Sequence, residues 1–160
     1  MRTPAQLRAA VPHIAHDMML LRQANEYRRL RVAWTAWYPL ARNVATFLGI
    51  VQGSRGDIRA AEFFDRGSGE WRRWQTARGE RLRHAPPALA TLYDDASQAV
   101  AHLSWKRVTA PGVQPPSNEV THLLLMLWTD FVAALPVAYN RLVRDEWARL
   151  HPRRRRRFVK

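Results

Sequence analysis

Trp37-Tyr38-Pro39-Leu40-Ala41-Arg42-Asn43-Val44-Ala45-Thr46-Phe47-Leu48 is the stretch whose reading decides the fold. Leu30, Trp34, Trp37, Ala41, Val44 and Leu48 recur at steps of three and four, an apolar helical stripe that stops at Gly49. Arg42 and Asn43 interrupt an otherwise apolar surface. A core helix does not need an Arg-Asn pair, so these two residues are the first candidates for function.

The same periodicity recurs along the chain. Leu89, Leu92, Ala96, Ala99 and Leu103 form a second stripe, and Val120, Leu124, Leu127, Phe131, Leu135, Ala138 and Leu142 a third. A shorter N-terminal helix is predicted from about His13 to Tyr27, starting after Pro12 and burying Ile14, Met18 and Leu21. Pro39 and Pro136 should kink the helices that contain them, because the ring removes one backbone bond and crowds the preceding turn. No strand-like alternation and no Asn-Gly or Asp-Gly hairpin signal is present.

Turn chemistry separates the stripes. Gln52-Gly53-Ser54-Arg55-Gly56-Asp57 reads as a turn whose Asp57 caps a short helix through Phe63-Phe64. Arg66-Gly67-Ser68-Gly69 reads as a flexible link, and the Arg-rich stretch before His84 as a loop. The proline-rich run from Ala110 ends at Ser117, the predicted N-cap of the last long helix. The expected fold is all-α, an antiparallel four- to five-helix bundle with kinked long helices and a basic C-terminal tail.

At 160 residues one domain over 1–150 is expected, with residues 151–160 a disordered Arg-rich tail. A chain of this length buries roughly 70% of its unfolded surface. The chain has no cysteine, so disulfides, thiolate metal sites and cysteine nucleophiles are excluded. The start lacks a signal-peptide apolar region, and the apolar run from Val120 to Tyr139 is broken by His122, Asp130 and Pro136. A cytoplasmic protein with no transmembrane segment is the default expectation.

The net charge is +13, and of 26 basic residues only Lys106 and Lys160 are lysines. Arginine forks onto phosphate and stacks on bases, so RNA or another polyanion is the implied partner. The tail from Arg153 to Lys160 supplies six of the thirteen charges and leaves +7 on the body. If Arg153, Arg154, Arg155, Arg156 and Arg157 all neutralised phosphates, a salt slope of about −4.5 would cost roughly 500-fold in affinity between about 50 and 200 mM salt. A solvated tail without a specific role is the alternative.

Ala101-His102-Leu103-Ser104-Trp105-Lys106-Arg107 supplies the second polar cluster. His transfers protons near neutral pH and Arg steadies phosphate. His102 is therefore the candidate base, Arg42 and Arg107 the phosphate clamp, and Asn43 the orienting residue. Lys106 lies four positions from His102 and shares its face. This catalytic set requires Arg42 and His102 to meet between neighbouring helices. The competing reading makes Arg42, Asn43 and His102 a buried polar network that fixes the fold.

Trp71-Arg72-Arg73-Trp74 interleaves aromatic and guanidinium groups, a surface on which bases can stack. Its alternative is a short amphipathic segment with the tryptophans turned to the bundle and the arginines to water. His13 and His16, three apart with Asp17 beside them, form at most a weak metal group, with no third ligand at fixed spacing. No metal or cofactor is expected.

The stretch from about Asn25 to Arg107 resembles members of the HEPN superfamily of helical bundles found in prokaryotic toxin–antitoxin and defence systems. Ala41-Arg42-Asn43 with Phe47-Leu48 resembles one of that group's helices, Asp57-Ile58-Arg59-Ala60-Ala61-Glu62-Phe63-Phe64 the acidic-aromatic helix after it, and Trp71 the tryptophan beyond. Ala101-His102-Leu103-Ser104 with Arg107 is similar to a later segment. The resemblance implies a four- or five-helix bundle, often dimeric, with a cognate antitoxin or other partner protein. In active members it implies a metal-independent ribonuclease. Their motif separates a His by four to six residues from an Arg that is followed by a polar residue. Arg42-Asn43 has no such His, while Arg8 with His13 and Arg78 with His84 satisfy only the spacing.

Three functions remain open on these residues. One is a HEPN-like protein that binds or acts on RNA in a stress or defence module. The second is a noncatalytic interaction protein whose Arg/Asn/His cluster is structural. The third is a peripheral membrane or DNA-associated protein governed by its tail.

Overall fold

The computed structural model describes residues 2–27, 31–101 and 117–150, with the backbone alone described at 31–35, 93, 95 and 97–101. Among the described residues there are six α-helices: α1 Pro4–Glu26, α2 Arg31–Phe47, α3 Gly69–Arg83, α4 Ala88–Ala101, α5 Asn118–Ala134 and α6 Val137–Leu150. A short 3-10 turn, Ala60–Phe63, lies between α2 and α3. The all-helical bundle expected from the stripes is the observed architecture, and no strand occurs among the described residues.

Helix α1 begins nine residues before the predicted His13. Thr3 is its N-cap: Gln6 N donates to Thr3 Oγ1 at 3.3 Å, and Thr3 N to Gln6 Oε1 at 2.8 Å. Pro4 occupies the first turn, where its missing N–H costs nothing. Leu7, Ala10 and Val11 are buried, so the apolar stripe extends ahead of Ile14, Met18 and Leu21. Pro12 does not stop the helix, because it stands on the exposed face, where solvent can take the place of the backbone bond it removes.

Helix α2 runs through Pro39 and ends as its Gly49 signal predicts. Gly49 has φ +72°, Ile50 N bonds Ala45 O at 2.8 Å, and Gly49 N bonds Thr46 O at 3.0 Å. This is the paired-bond C-terminal cap that a left-handed glycine permits. Arg78 of α3 adds bonds to two more carbonyls, from Nε to Leu48 O at 3.0 Å and from Nη2 to Gly49 O.

The stretch before His84 that reads as a loop is helical, while of the Arg66–Gly69 link only Gly69 joins that helix. Ser68 accepts from Trp71 N at 3.1 Å and starts α3, which continues to Arg83. Asp57 does not cap a helix. Its carboxylate takes Ser54 N at 2.6 Å and Ser54 Oγ at 3.0 Å, closing the turn instead. At the far end, Ser117 caps α5 through Val120 N at 3.2 Å, as predicted. Pro136 separates α5 from α6 rather than merely bending one long helix. Accordingly Leu135 is buried, Ala138 and Leu142 are exposed, and Val143 turns inward.

Helix α1 packs on α2, α5 and α6, α2 on α4 and α5, and α3 on α5. Phe131 of α5 is the aromatic hub. Its ring centroid lies 5.1 Å from Phe47, 5.6 Å from Trp74 and Trp128, and 5.8 Å from Phe63 and Phe64. Most of these pairs meet edge to face, the arrangement the ring quadrupole favours. The hub thus ties α2, the 3-10 turn, α3 and α5 into one core.

Candidate functional site

Helix α2 carries Arg42, half-buried, and Asn43, exposed, on the side that meets α1. The Asn43 side-chain amide lies close to the carboxylate of Asp17 on α1. Burial raises the Asp17 carboxyl above its ordinary value; the charges of His16 and His13 and the nearby Asn43 amide pull it back part of the way. His13 lies four positions before Asp17 on the same helix face. His16 also faces α6, where its charge joins the dominant Arg149 bond in lowering the Glu146 carboxyl.

Asp17, Arg42, Asn43, Thr46, Ser54 and Asp57 line an open groove of about 520 Å³ between these helices and the turn after α2. Guanidinium, carboxamide and carboxylate groups share the groove, with two exposed imidazoles beside Asp17. These are side-chain types that hold a phosphate and move a proton. The sequence presents His13, His16 and Asp17 only as a weak metal group and gives no sign that Asn43 lies beside them. The available signal was the helical spacing of the three residues; the packing partner was not readable. Among the described residues no three His, Cys, Asp or Glu side chains gather as a metal site requires.

His102, Lys106 and Arg107 lie outside the described residues, as do Arg153, Arg154, Arg155, Arg156 and Arg157. The expected meeting of Arg42 with His102 therefore also lies outside them. Arg72 and Arg73 are exposed on α3, where Arg73 pairs with Glu70 at 3.3 Å. The neighbouring tryptophans do not form a base-stacking surface: Trp74 is 1% exposed against Phe131, and half-buried Trp71 leans on Phe64. The amphipathic alternative describes this segment.

The Arg78–His84 spacing does not make a site. Arg78 serves the end of α2, while His84 sits at the end of α3 and lines a different groove. That groove, about 1030 Å³, also takes in Asn25, Arg81, Thr121 and His122. At its base Thr121 Oγ1 accepts from Trp37 Nε1 at 2.9 Å and lies 3.1 Å from both Asn25 Oδ1 and Ser117 O. This buried polar chain links α1, α2 and α5, and nothing in the helical stripes signals it.

A third groove, about 1020 Å³, lies where the start of the chain meets the segment after α2, with Arg2, Arg55, Arg59 and Arg66 in its lining. Arg2 Nη1 contacts Glu62 Oε1 at 2.6 Å and Asp57 O at 3.2 Å, and Nη2 donates to Gly56 O.

Among known proteins, no family model matches the chain, and no curated protein or solved structure does so either. No described helix is long and apolar enough to cross a membrane.

Proposed function

We propose that this chain is a HEPN-like helical protein that binds RNA in a stress or defence module of the toxin–antitoxin kind. The observation that carries the RNA-binding part is the fate of the charges. Glu26, Glu62, Glu70, Glu80, Asp130 and Glu146 are each taken up by an arginine. Exposed Arg55, Arg59, Arg66, Arg72, Arg141 and Arg144 have no ion pair among the described residues. A net charge of +13 thus comes with guanidinium forks free to meet an anion. The resemblance supplies the biological setting, and with it a homodimer and a cognate protein partner.

Fluorescence anisotropy with a labelled single-stranded RNA tests the reading. Tight binding that falls steeply with salt is expected. Salt-independent binding, or none at low salt, overturns it. A chain lacking residues 153–160 separates the tail from the body. Retention on RNA should weaken without disappearing.

The noncatalytic interaction reading is favoured by one observation, the closeness of the Asn43 amide to the part-buried Asp17 carboxylate between α2 and α1, as in a structural network. RNA cleavage assays on wild type, Arg42→Ala, Asn43→Ala, Asp17→Asn and His102→Ala divide the two. Cleavage lost with stability retained assigns these residues to chemistry. Loss of stability without cleavage in any variant assigns the network to structure.

A further inference from the structure

We propose that the groove lined by Arg55, Arg59 and Arg66 is a phosphate-binding site, and that on the RNA-binding reading, on which this rests, it holds phosphates of the RNA backbone. Three observations carry it. First, the guanidinium groups of these three arginines are exposed and have no hydrogen bond or ion pair among the described residues. Second, the acidic groups of the same groove each have a partner other than these arginines. Glu62 is neutralised by Arg2, Asp57 binds Ser54 N and Oγ, and Asp65 accepts Gly67 N at 3.1 Å. Third, the segment presenting the arginines is held in place. Arg2 ties the carbonyls of Gly56 and Asp57 to the Glu62 carboxylate, and Glu62 Oε1 also accepts Arg59 N at 2.9 Å.

Arginine matches this task because its planar fork can meet two oxygens of one phosphate, with further donors left for the next. A segment already fixed by Arg2 and Asp57 loses little further freedom when an anion arrives.

The test compares the full chain with two triple variants of equal charge: Arg55→Ala/Arg59→Ala/Arg66→Ala in the groove, and Arg8→Ala/Arg141→Ala/Arg144→Ala outside it. All six side chains are exposed, so both variants should fold, which thermal melts verify. Binding of a labelled single-stranded RNA is measured across a salt series. Each lost phosphate contact removes about 0.7 from the slope of log K against log salt. The groove variant should therefore lose about 2 from its slope and bind at least tenfold more weakly at low salt, with less than half that effect in the control variant. Equal behaviour of the two variants, or a groove variant indistinguishable from wild type, overturns the site. If wild type binds no RNA, the RNA reading fails, and calorimetric titration with inorganic tripolyphosphate decides the groove by itself. Binding that the groove variant loses keeps the phosphate site, and no binding removes it.

Discussion

Trp37 Nε1 donates to Thr121 Oγ1 at 2.9 Å, joining α2 to α5 across 84 positions of sequence. Both side chains are about 1% exposed, so the bond forms where water cannot replace it. Thr121→Val keeps the shape and leaves a buried indole N–H unsatisfied. It should cost about 1–3 kcal/mol. Adding Trp37→Phe removes the orphaned donor, so the double variant should lose less than the sum of the single changes. Urea denaturation of all three variants checks this; strict additivity contradicts the coupling.

Phe131 should be the most sensitive apolar position. Five rings surround it, and Phe131→Ala opens a cavity among them. The expected loss is about 3–5 kcal/mol. Phe131→Leu should recover more than half of it. A cost below about 1 kcal/mol for the alanine variant would show that the hub collapses without penalty.

Gly53 is fixed by space rather than by dihedral angle. A Cβ there would overlap Thr46 Cγ2 and the Asp57 carboxylate. Gly53→Ala must displace the carboxylate that closes the turn through Ser54 N, and should cost about 1–3 kcal/mol. Faster amide exchange at Ser54 and Asp57 is the accompanying signature. By contrast, Gly56→Ala meets nothing within 4 Å and should be tolerated.

Asp17 gives a pH prediction. Its carboxyl is raised by burial above the ordinary 3.8, so the folded state holds that proton more tightly than the unfolded chain does. Between the unfolded and the raised folded value, stability from this group falls as pH rises, and the penalty stays constant above that window. Asp17→Asn should therefore be more stable than wild type at pH 7, with the difference vanishing as pH drops toward the ordinary carboxylate value. Denaturation midpoints at pH 4 and pH 7 read this directly. A variant less stable than wild type at pH 7 would mean that His13, His16 and Asn43 outweigh burial.

The legible parts of the fold were those governed by local periodicity or local turn chemistry. Trp37, Ala41, Val44 and Leu48 of the quoted stripe are buried, and Gly49 and Ser117 end and begin helices as their residue types require. The start of α1 was legible too, since Thr3-Pro4-Ala5-Gln6 is a capping box with proline in its first turn, but Pro12 was given more weight. Its exposed position decides the matter, and exposure is a tertiary property. The same holds for Pro136, where a break rather than a bend gives α6 its own register. At the candidate site, Arg42 and Asn43 stood out as polar residues on an apolar helix. Asp17, which lies near Asn43, did not, because which face of α1 meets α2 depends on packing that no spacing rule encodes.

Arg78 and Arg81 lie three positions apart on α3. The first grips the carbonyls at the end of α2, and the second meets Asp130 of α5 at 2.9 Å. Two of the chain's many guanidiniums are therefore braces between helices and are unavailable to an incoming ligand. Exchanging every arginine for lysine would preserve the net charge while replacing each two-pronged clasp with a single point of attachment. Attraction to a polyanion could survive such a recoding, but the junction of α2, α3 and α5 would slacken.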